Sequence, residues 1–494
     1  MKKLIWSYRH HLIAKIAIFA LVFGFTFVIR VHNYDRVPGP AHLEEQMYAW
    51  QGLNLIETGA PVGWSTLPYP DRAEIYRGKV DYQGHQPEVF VRLYRPWLDE
   101  PPLYGLISGG VAHLFKADRN QIVLNSYIRL PSIVIGTLTS LMVFLLAWET
   151  SGFWVGVLAM LVYGTVPIFV LSSRLSVPEN LISLIYALMI WLLIRYQKQH
   201  KLIYLLIIPL LVGLAGLAKA TGFLAIALAI FITLMMKKWS HAFYLGLALL
   251  PFVALFFYYG NHFDPEIFKT ILRVQSSRPV GFAALAWFWV SPAFDINTIT
   301  DSWYVFGMLS LAYYLFKFKS TTGPKFVILL GAIMWLMVVM VSGGEKDLLP
   351  WYRYPVFPLM AVCAAWAIVD LVKKSNLLGD LMIIGLMLGG RSLLLNDFRS
   401  NLYPLEVRVY SLLLAAPSLL ANIFPKKIWI NLSRGVMVGI LMVGVYFNIV
   451  FLYNQFELNC ENKSCLIMPS LKLSSLHFPV IWRLFVLGEP QRHD

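Results

Sequence analysis

Cysteine, acidic residues and charge in general are scarce in this chain. Of 494 residues only 3 are cysteine, and 27 acids face 41 lysines and arginines. Charged residues make up 14% of the sequence and apolar ones 58%. So few cysteines exclude a disulfide framework and a cysteine-built metal centre. Cys363 lies in an apolar run. Cys460 and Cys465 lie in the polar segment "CENKSC", where they could pair if that segment faces an oxidising compartment. The low charge and high apolar content exclude an ordinary soluble globule, which is about 45–50% apolar. A net charge of +14 invites a nucleic-acid reading. No basic stripe or recognition module supports it, and no nucleic-acid partner is expected.

What is present is a series of apolar runs of bilayer-crossing length. They fall at about 12–30, 129–148, 153–171, 179–196, 202–217, 222–236, 242–260, 303–316, 325–341, 354–372, 378–389, 405–423 and 434–453. The expected fold is an all-α polytopic membrane protein of about 13 transmembrane helices. One transmembrane domain is expected over 1–453, with a short tail at 454–494. The first run follows Lys2, Lys3 and Arg9 and has no small-residue cleavage site after it, so it reads as an uncleaved anchor. No internal repeat is evident, which weighs against transporters built from inverted repeats.

Charge parity orients these spans. With the N-terminus cytoplasmic, the inside loops are "RYQKQHK" (195–201), "KKWSH" (237–241), "KFKSTTGPK" (317–325), "KKS" (373–375) and "FPKKIWINLSR" (424–434). The lysine-rich loops then lie inside, as the positive-inside rule requires. The C-terminal tail lies outside, and the site of action is the plasma (inner) membrane. Counting the short apolar segment 101–116 as a span would invert every later loop. It therefore reads as an interfacial or re-entrant helix. Two long segments remain outside, 31–128 and 261–302, together with the short 342–353.

The first outer segment contains "PGPAHLEEQMYAW" (38–50). Prolines lead in, and Gly59 with Pro61 ends a helix predicted over 42–57. Leu43, Met47, Trp50 and Leu53 share one face, which is expected to lie in the membrane interface. Glu44 and Glu45 diverge from each other by about 100°, so two separate roles are expected. Tyr48 lies one turn beyond Glu44. Taken alone, such a pair reads as a solvated acidic face. Its neighbourhood argues otherwise, because Asp99, Glu100, Arg174, Glu179, Lys219 and Arg353 all fall at outer helix ends. Ionisable groups next to hydrocarbon are costly and are functional candidates.

Together these motifs resemble the GT-C superfamily of integral-membrane glycosyltransferases, in particular its protein O-mannosyltransferase and aminoarabinose (lipid A) transferase branch. That branch has an acidic pair after its first helix, a Pro-Pro-Leu helix and an Arg-Leu-Pro helix start. Here these are "LEEQMYA", "DEPPLYG" and "IRLPSIVIGTLTSL". Its later motifs match "RLSVPEN", "GLAGLAK" and "RYPVFP". The resemblance covers residues 12–360 and implies a GT-C fold with juxtamembrane helices on the outer face. It also implies transfer of a sugar, with inversion, from a polyprenyl-phosphate donor to a hydroxyl of a protein, lipid or glycan acceptor.

The resemblance implies that Glu44 is the catalytic base, although it is one methylene longer than the aspartate usual there. Glu45, Tyr48 and Glu179 are then the acceptor or orienting residues. For Glu179 the competing reading is an acid stabilised by a helix dipole. Lys219 and Arg353 are the candidates for the donor phosphate, with Arg92 and Arg95 as alternatives. Arginine chelates phosphate oxygens in a fork, and lysine acts as a point charge. Asp99 matches a metal-ligating acid of the aminoarabinose branch. Asp99 with His262, in "GNHFDPE", could hold a divalent metal, the competing reading being an ordinary loop histidine. The main alternative function is a transporter or lipid flippase. Such a protein needs ionisable residues near the bilayer midplane, whereas these spans are nearly clean inside. A non-catalytic scaffold has no use for clustered acids and cations.

The parity argument predicts the outcome of reporter fusions. A reporter active only in the cytoplasm gives signal in 195–201 and 237–241. A reporter active only after export gives signal in 31–128 and in the tail. Reversed signals overturn the topology.

Overall fold

A computed structural model describes residues 2–39, 43–82, 85–119, 121–278, 280–288, 301–318, 321–342, 350–373, 379–380 and 404–454. The helices are α1 (Lys2–Val31), α2 (Glu44–Thr58), α3 (Pro102–Leu114), α4 (Asn125–Ile128), α5 (Leu130–Ser151), α6 (Phe153–Thr165), α7 (Pro167–Ser172) and α8 (Pro178–Gln199). They continue with α9 (Leu202–Ala218), α10 (Ile226–Met235), α11 (Trp239–Phe263), α12 (Pro265–Ser276), α13 (Ser302–Phe316), α14 (Gly323–Ser342) and α15 (Phe357–Lys373). Two further helices, Pro404–Ile423 and Lys427–Asn454, end the described chain.

Every expected span except 378–389 coincides with a helix. Apart from 379–380 that span lies outside the described residues, as do 289–300, Cys460, Cys465 and the rest of the tail from 455. Among the described residues, seven helices are long and apolar enough to cross a membrane. The expected run 153–171 divides into α6 and α7, because Pro167 holds Val166 in an extended conformation (φ −65°, ψ 120°). Helix α9 is apolar on all sides. Leu202, Leu206 and Leu210 repeat every four residues on an exposed face, while Leu205, Ile208 and Val212 are buried. The exposed stripe is the face offered to lipid.

The outer segment departs from an all-α description. Residues 63–94 form an antiparallel sheet in the order β1–β3–β2, from β1 (Gly63–Trp64), β2 (Glu74–Tyr82) and β3 (His85–Tyr94). Val91 and Leu93 alternate with exposed Arg92, the period of two that half-buried strands show. This sheet changes the reading of α2. Its apolar face does not lie in the membrane interface. Leu43 and Trp50 pack with Val62, Val91 and Leu93 of the sheet region. Leu53 packs with Ala112, Val123 and Ile128. Gln46 holds the chain at Val123 through paired bonds of 2.6 and 2.9 Å, and the Trp50 indole donates to the Gln121 carbonyl at 2.8 Å. Protein covers the face that was expected to meet lipid.

Helices α2 and α3 touch backbone to backbone. A Cβ on Gly52 would lie 1.8 Å from the Gly105 carbonyl oxygen, so neither chain can carry a side chain there. Gly59 ends α2 in the left-handed region (φ 70°), its N–H bonding the Leu55 carbonyl at 3.1 Å.

One buried ion pair fixes the rotation of α2. Arg129, just before α5, donates from Nε to Glu45 Oε1 at 2.8 Å and from Nη2 to Oε2 at 2.6 Å. Its Nη1 also donates to the carbonyls of Tyr34 and Pro38, both at 2.9 Å. Glu45 Oε1 further accepts the Ser176 N–H at 2.7 Å. Both side chains have no exposed surface. Arg174 completes the clamp on the chain leaving α1, donating to Val37 (2.9 Å) and Ile29 (2.6 Å) carbonyls. Removing one partner of a buried pair strands the other's charge. Arg129→Ala is therefore expected to cost about 3–5 kcal/mol. The double change Glu45→Gln with Arg129→Met should cost much less. Thermal unfolding of the detergent-solubilised protein measures both. Equal losses overturn the assignment.

Candidate functional site

Four helix ends and one loop bring the candidate residues together. Glu44 opens α2, and Asp99 and Glu100 precede the Pro101–Pro102 start of α3. Glu179 lies in the first turn of α8, where the helix dipole favours an acid. Lys219 caps the C-terminus of α9 in an extended conformation, where the dipole favours a cation. The irregular stretch Pro350–Val356 supplies Tyr352 and Arg353. The ends of α8 and α9 meet there the non-spanning helices α2 and α3 of the outer segment.

Lys219 is the centre of the cluster. Its Nζ donates to Glu179 Oε1 at 2.7 Å, and Glu100 Oε1 lies 3.4 Å away. It also sits 4.4 Å from the centre of the Tyr352 ring, a cation–π contact. Lys219 and Glu179 are buried, and Glu100 is slightly more open. Gln51 donates to the Glu100 carbonyl at 2.9 Å, which fixes that backbone. Tyr48 is sealed between Trp97 and Tyr104, edge-on to both rings. Its hydroxyl is buried without a partner, as are Glu179 Oε2 and Gln51 Oε1.

Glu44 differs from its neighbour. It is half-buried and makes no hydrogen bond or ion pair among the described residues. Burial pushes its carboxyl up to about 8. Lys219 pulls it down, while Glu179, Glu100 and Asp99 push it further up. Burial likewise raises Glu100 to about 7, against the pull of Lys219. Asp99 rises to about 6, again chiefly through burial, with bonds from Ser65 and Tyr69 opposing the rise. Three carboxyls, Glu44, Glu100 and Glu179, thus act on one lysine, and Glu44 and Glu100 are both placed to exchange a proton near neutrality.

The structure brings together Glu44, Tyr48, Asp99, Glu179 and Lys219 from the sequence-based candidates. Glu45 is not among them. It points into the interior and grips Arg129, so it orients α2 and has no surface for an acceptor. Arg353 follows Tyr352, but its side chain turns inward. Its guanidinium lies over the Phe288 ring at 5.9 Å, with Tyr304 and Tyr354 as neighbours. Arg92 and Arg95 are exposed on the sheet side, Arg92 lying over the Phe90 ring at 5.4 Å. These three arginines are therefore not grouped with Lys219.

The pair proposed for a metal also separates. Asp99 accepts hydrogen bonds on both oxygens, from Ser65 and Tyr69, each at 2.6 Å. His262 is exposed at the end of α11 and stacks on Tyr258. Among the described residues no group of three or more His, Cys, Asp or Glu could hold a metal ion. Asp99 and His262 therefore do not form a divalent-metal pair.

Three members of the cluster have no role assigned from the sequence. Glu100 stood beside Asp99, and nothing in the order of the two acids says which one reaches Lys219. Tyr352 preceded the motif arginine. Arg278, in the second outer segment, acts electrostatically on Asp99, Glu100 and Tyr352. The only local signal for it is its place before a proline in an outer segment.

Residues 99–259 match the family model of dolichyl-phosphate-mannose-protein mannosyltransferase. That stretch holds Asp99, Glu100, Glu179 and Lys219. No curated protein matches the sequence. Among solved structures, the chain is similar to ArnT from Cupriavidus metallidurans in the apo state. The TM-score is 0.54 at 15% identity, over 90% of this chain and 77% of that one. Against ArnT from the same organism bound to undecaprenyl phosphate, the TM-score is 0.51 at 14% identity, over 89% and 77%. At such identities the likeness is one of fold, and it agrees with the resemblance carried by the motifs. The chain has the GT-C fold of integral-membrane glycosyltransferases.

Proposed function

We propose that the protein transfers a sugar from a polyprenyl-phosphate donor to an acceptor hydroxyl, with Glu44 as general base. The observation that carries this reading is the half-buried Glu44 carboxyl, without a hydrogen bond or ion pair among the described residues, near a buried lysine and raised to about 8. A group in that range takes a proton from a hydroxyl better than an ordinary carboxylate does. In the reaction the acceptor O–H proton passes to Glu44. The acceptor oxygen bonds to the anomeric carbon as the bond from that carbon to the phosphate oxygen breaks. The polyprenyl phosphate leaves as an anion, so a fixed cation suffices and no general acid is required. Lys219, held charged by Glu179, is that cation. Arg278 adds positive potential on the Asp99 and Glu100 side.

Support for a lipid-phosphate donor comes from the family match over 99–259 and from the likeness to a protein solved with undecaprenyl phosphate. The charged cluster lies at helix ends on one side of the bundle, which disfavours a midplane transport pathway. We assign that side to the outer face of the plasma membrane, because the lysine-rich loops fall on the other. The acceptor is a hydroxyl of a protein, lipid or glycan, and the sugar a hexose or a pentose.

Transfer of radiolabelled sugar from defined polyprenyl-phosphate donors tests the reading. Glu44→Gln is expected to lower kcat by about 10²–10⁴. The base works only when deprotonated, so the wild-type rate should rise with pH through about 8. That limb should vanish in Glu44→Gln. Undiminished transfer by the variant sinks the base assignment. Absence of transfer from every lipid-linked donor by folded protein sinks the class.

A further inference from the structure

Lys219 carries three N–H groups and spends only one of them in a well-made bond. The bond to Glu179 is 2.7 Å, whereas Glu100 at 3.4 Å forms an ion pair without a hydrogen bond. Glu100 is also the looser partner, its side chain 13% exposed against 2% for Glu179. Its backbone is pinned by Gln51, so only the carboxyl end is free to swing. Beside it, the buried Tyr48 hydroxyl has no hydrogen-bond partner among the described residues. A buried hydroxyl left unpaired is costly. Tyr48 acts electrostatically on the same Lys219, and Glu100, Glu179 and Glu44 act on Tyr48.

An anionic phosphate entering this cluster would meet Glu44, Asp99, Glu100 and Glu179 around one lysine. Like charges held this close repel strongly where water is scarce. Of the two carboxylates in contact with Lys219, Glu100 has the looser contact and the greater exposure, and is the one to give way. We infer that Glu100 is an internal place-holder for the donor phosphate. In the donor-free protein its carboxylate occupies the second position on Lys219. The phosphate displaces it, one oxygen taking Lys219 and another accepting from the Tyr48 hydroxyl. This rests on the proposed function, since it places the donor phosphate at Lys219.

The test uses the purified full-length protein, with undecaprenyl phosphate as the binding probe and sugar transfer as the kinetic readout. Glu100→Gln keeps the shape and removes the competing charge. The Kd for the probe should fall about tenfold. The KM for the donor should fall with it, without a matching gain in kcat. A merely structural Glu100 moves the melting temperature and not this split. Tyr48→Phe removes a hydroxyl that has no hydrogen-bond partner among the described residues, so its melting temperature should not fall. Its Kd should rise about tenfold, through loss of a bond to a charged acceptor. Unchanged or weaker binding by folded Glu100→Gln overturns the place-holder, as does wild-type affinity in Tyr48→Phe. If the wild-type protein itself binds no polyprenyl phosphate, the donor-site reading falls and this inference falls with it. Wild-type binding with an unaltered Glu100→Gln sinks this inference alone.

Discussion

The buried pair between Glu45 and Arg129 is the constraint on which the outer half of the molecule depends. Two charges removed from water are costly unless each is fully bonded. Here the guanidinium grips one carboxylate with two nitrogens and also holds the chain leaving α1 at Tyr34 and Pro38. The carboxylate in turn holds the turn before α8 through Ser176. Three separate stretches of chain are tied at one point. Because consecutive helical residues lie about 100° apart, locking Glu45 inward leaves Glu44 a single direction, toward the lysine cluster. The backbone contact of α2 with α3 at Gly52 and Gly105 removes what slack remains.

Around Lys219 the electrostatics are deliberately unbalanced. Carboxyls outnumber the cation they surround, and burial raises the protonation range of Glu44 and Glu100 to about 8 and 7. A cluster of this kind holds a shared proton near neutrality. A small change in charge, such as an arriving anion, redistributes it. That property suits the proposed site, in which an anionic lipid phosphate binds beside the base for a hydroxyl.

Much of the framework was legible in the sequence. The spans followed from the apolar runs, since a bilayer demands about 20 apolar residues per helix. The end of α2 at Gly59 and the separation of Glu44 from Glu45 followed from local chemistry and helix geometry. The short apolar segment before residue 116 was placed as a non-spanning helix by charge parity and is the helix α3. What covers α2 was not legible. Its apolar stripe has the same periodicity whether it meets lipid or protein, and the sheet that covers it comes from a later stretch of the chain, residues 63–94. Arg92, Arg95, Arg353 and the Asp99–His262 pair carried the right residue types. Their side chains nonetheless point to Phe90, solvent, Phe288 and separate neighbours.

Residue type and order determined by themselves that this is a multi-span helical protein with ionisable groups gathered at helix ends on one face. Hydrocarbon tolerates charge nowhere else, so composition alone dictates that pattern. Only the tertiary structure decided which of those groups meet. Contact with Lys219 depends on where the ends of α2, α3, α8 and α9 fall in space, to within a few ångströms. Hydrogen-bond and ion-pair energies vanish over such distances. No spacing along a chain of this length encodes them directly. For that reason Glu100 and Arg278 joined the site, Glu45 left it for the interior, and Glu44 makes no hydrogen bond or ion pair among the described residues.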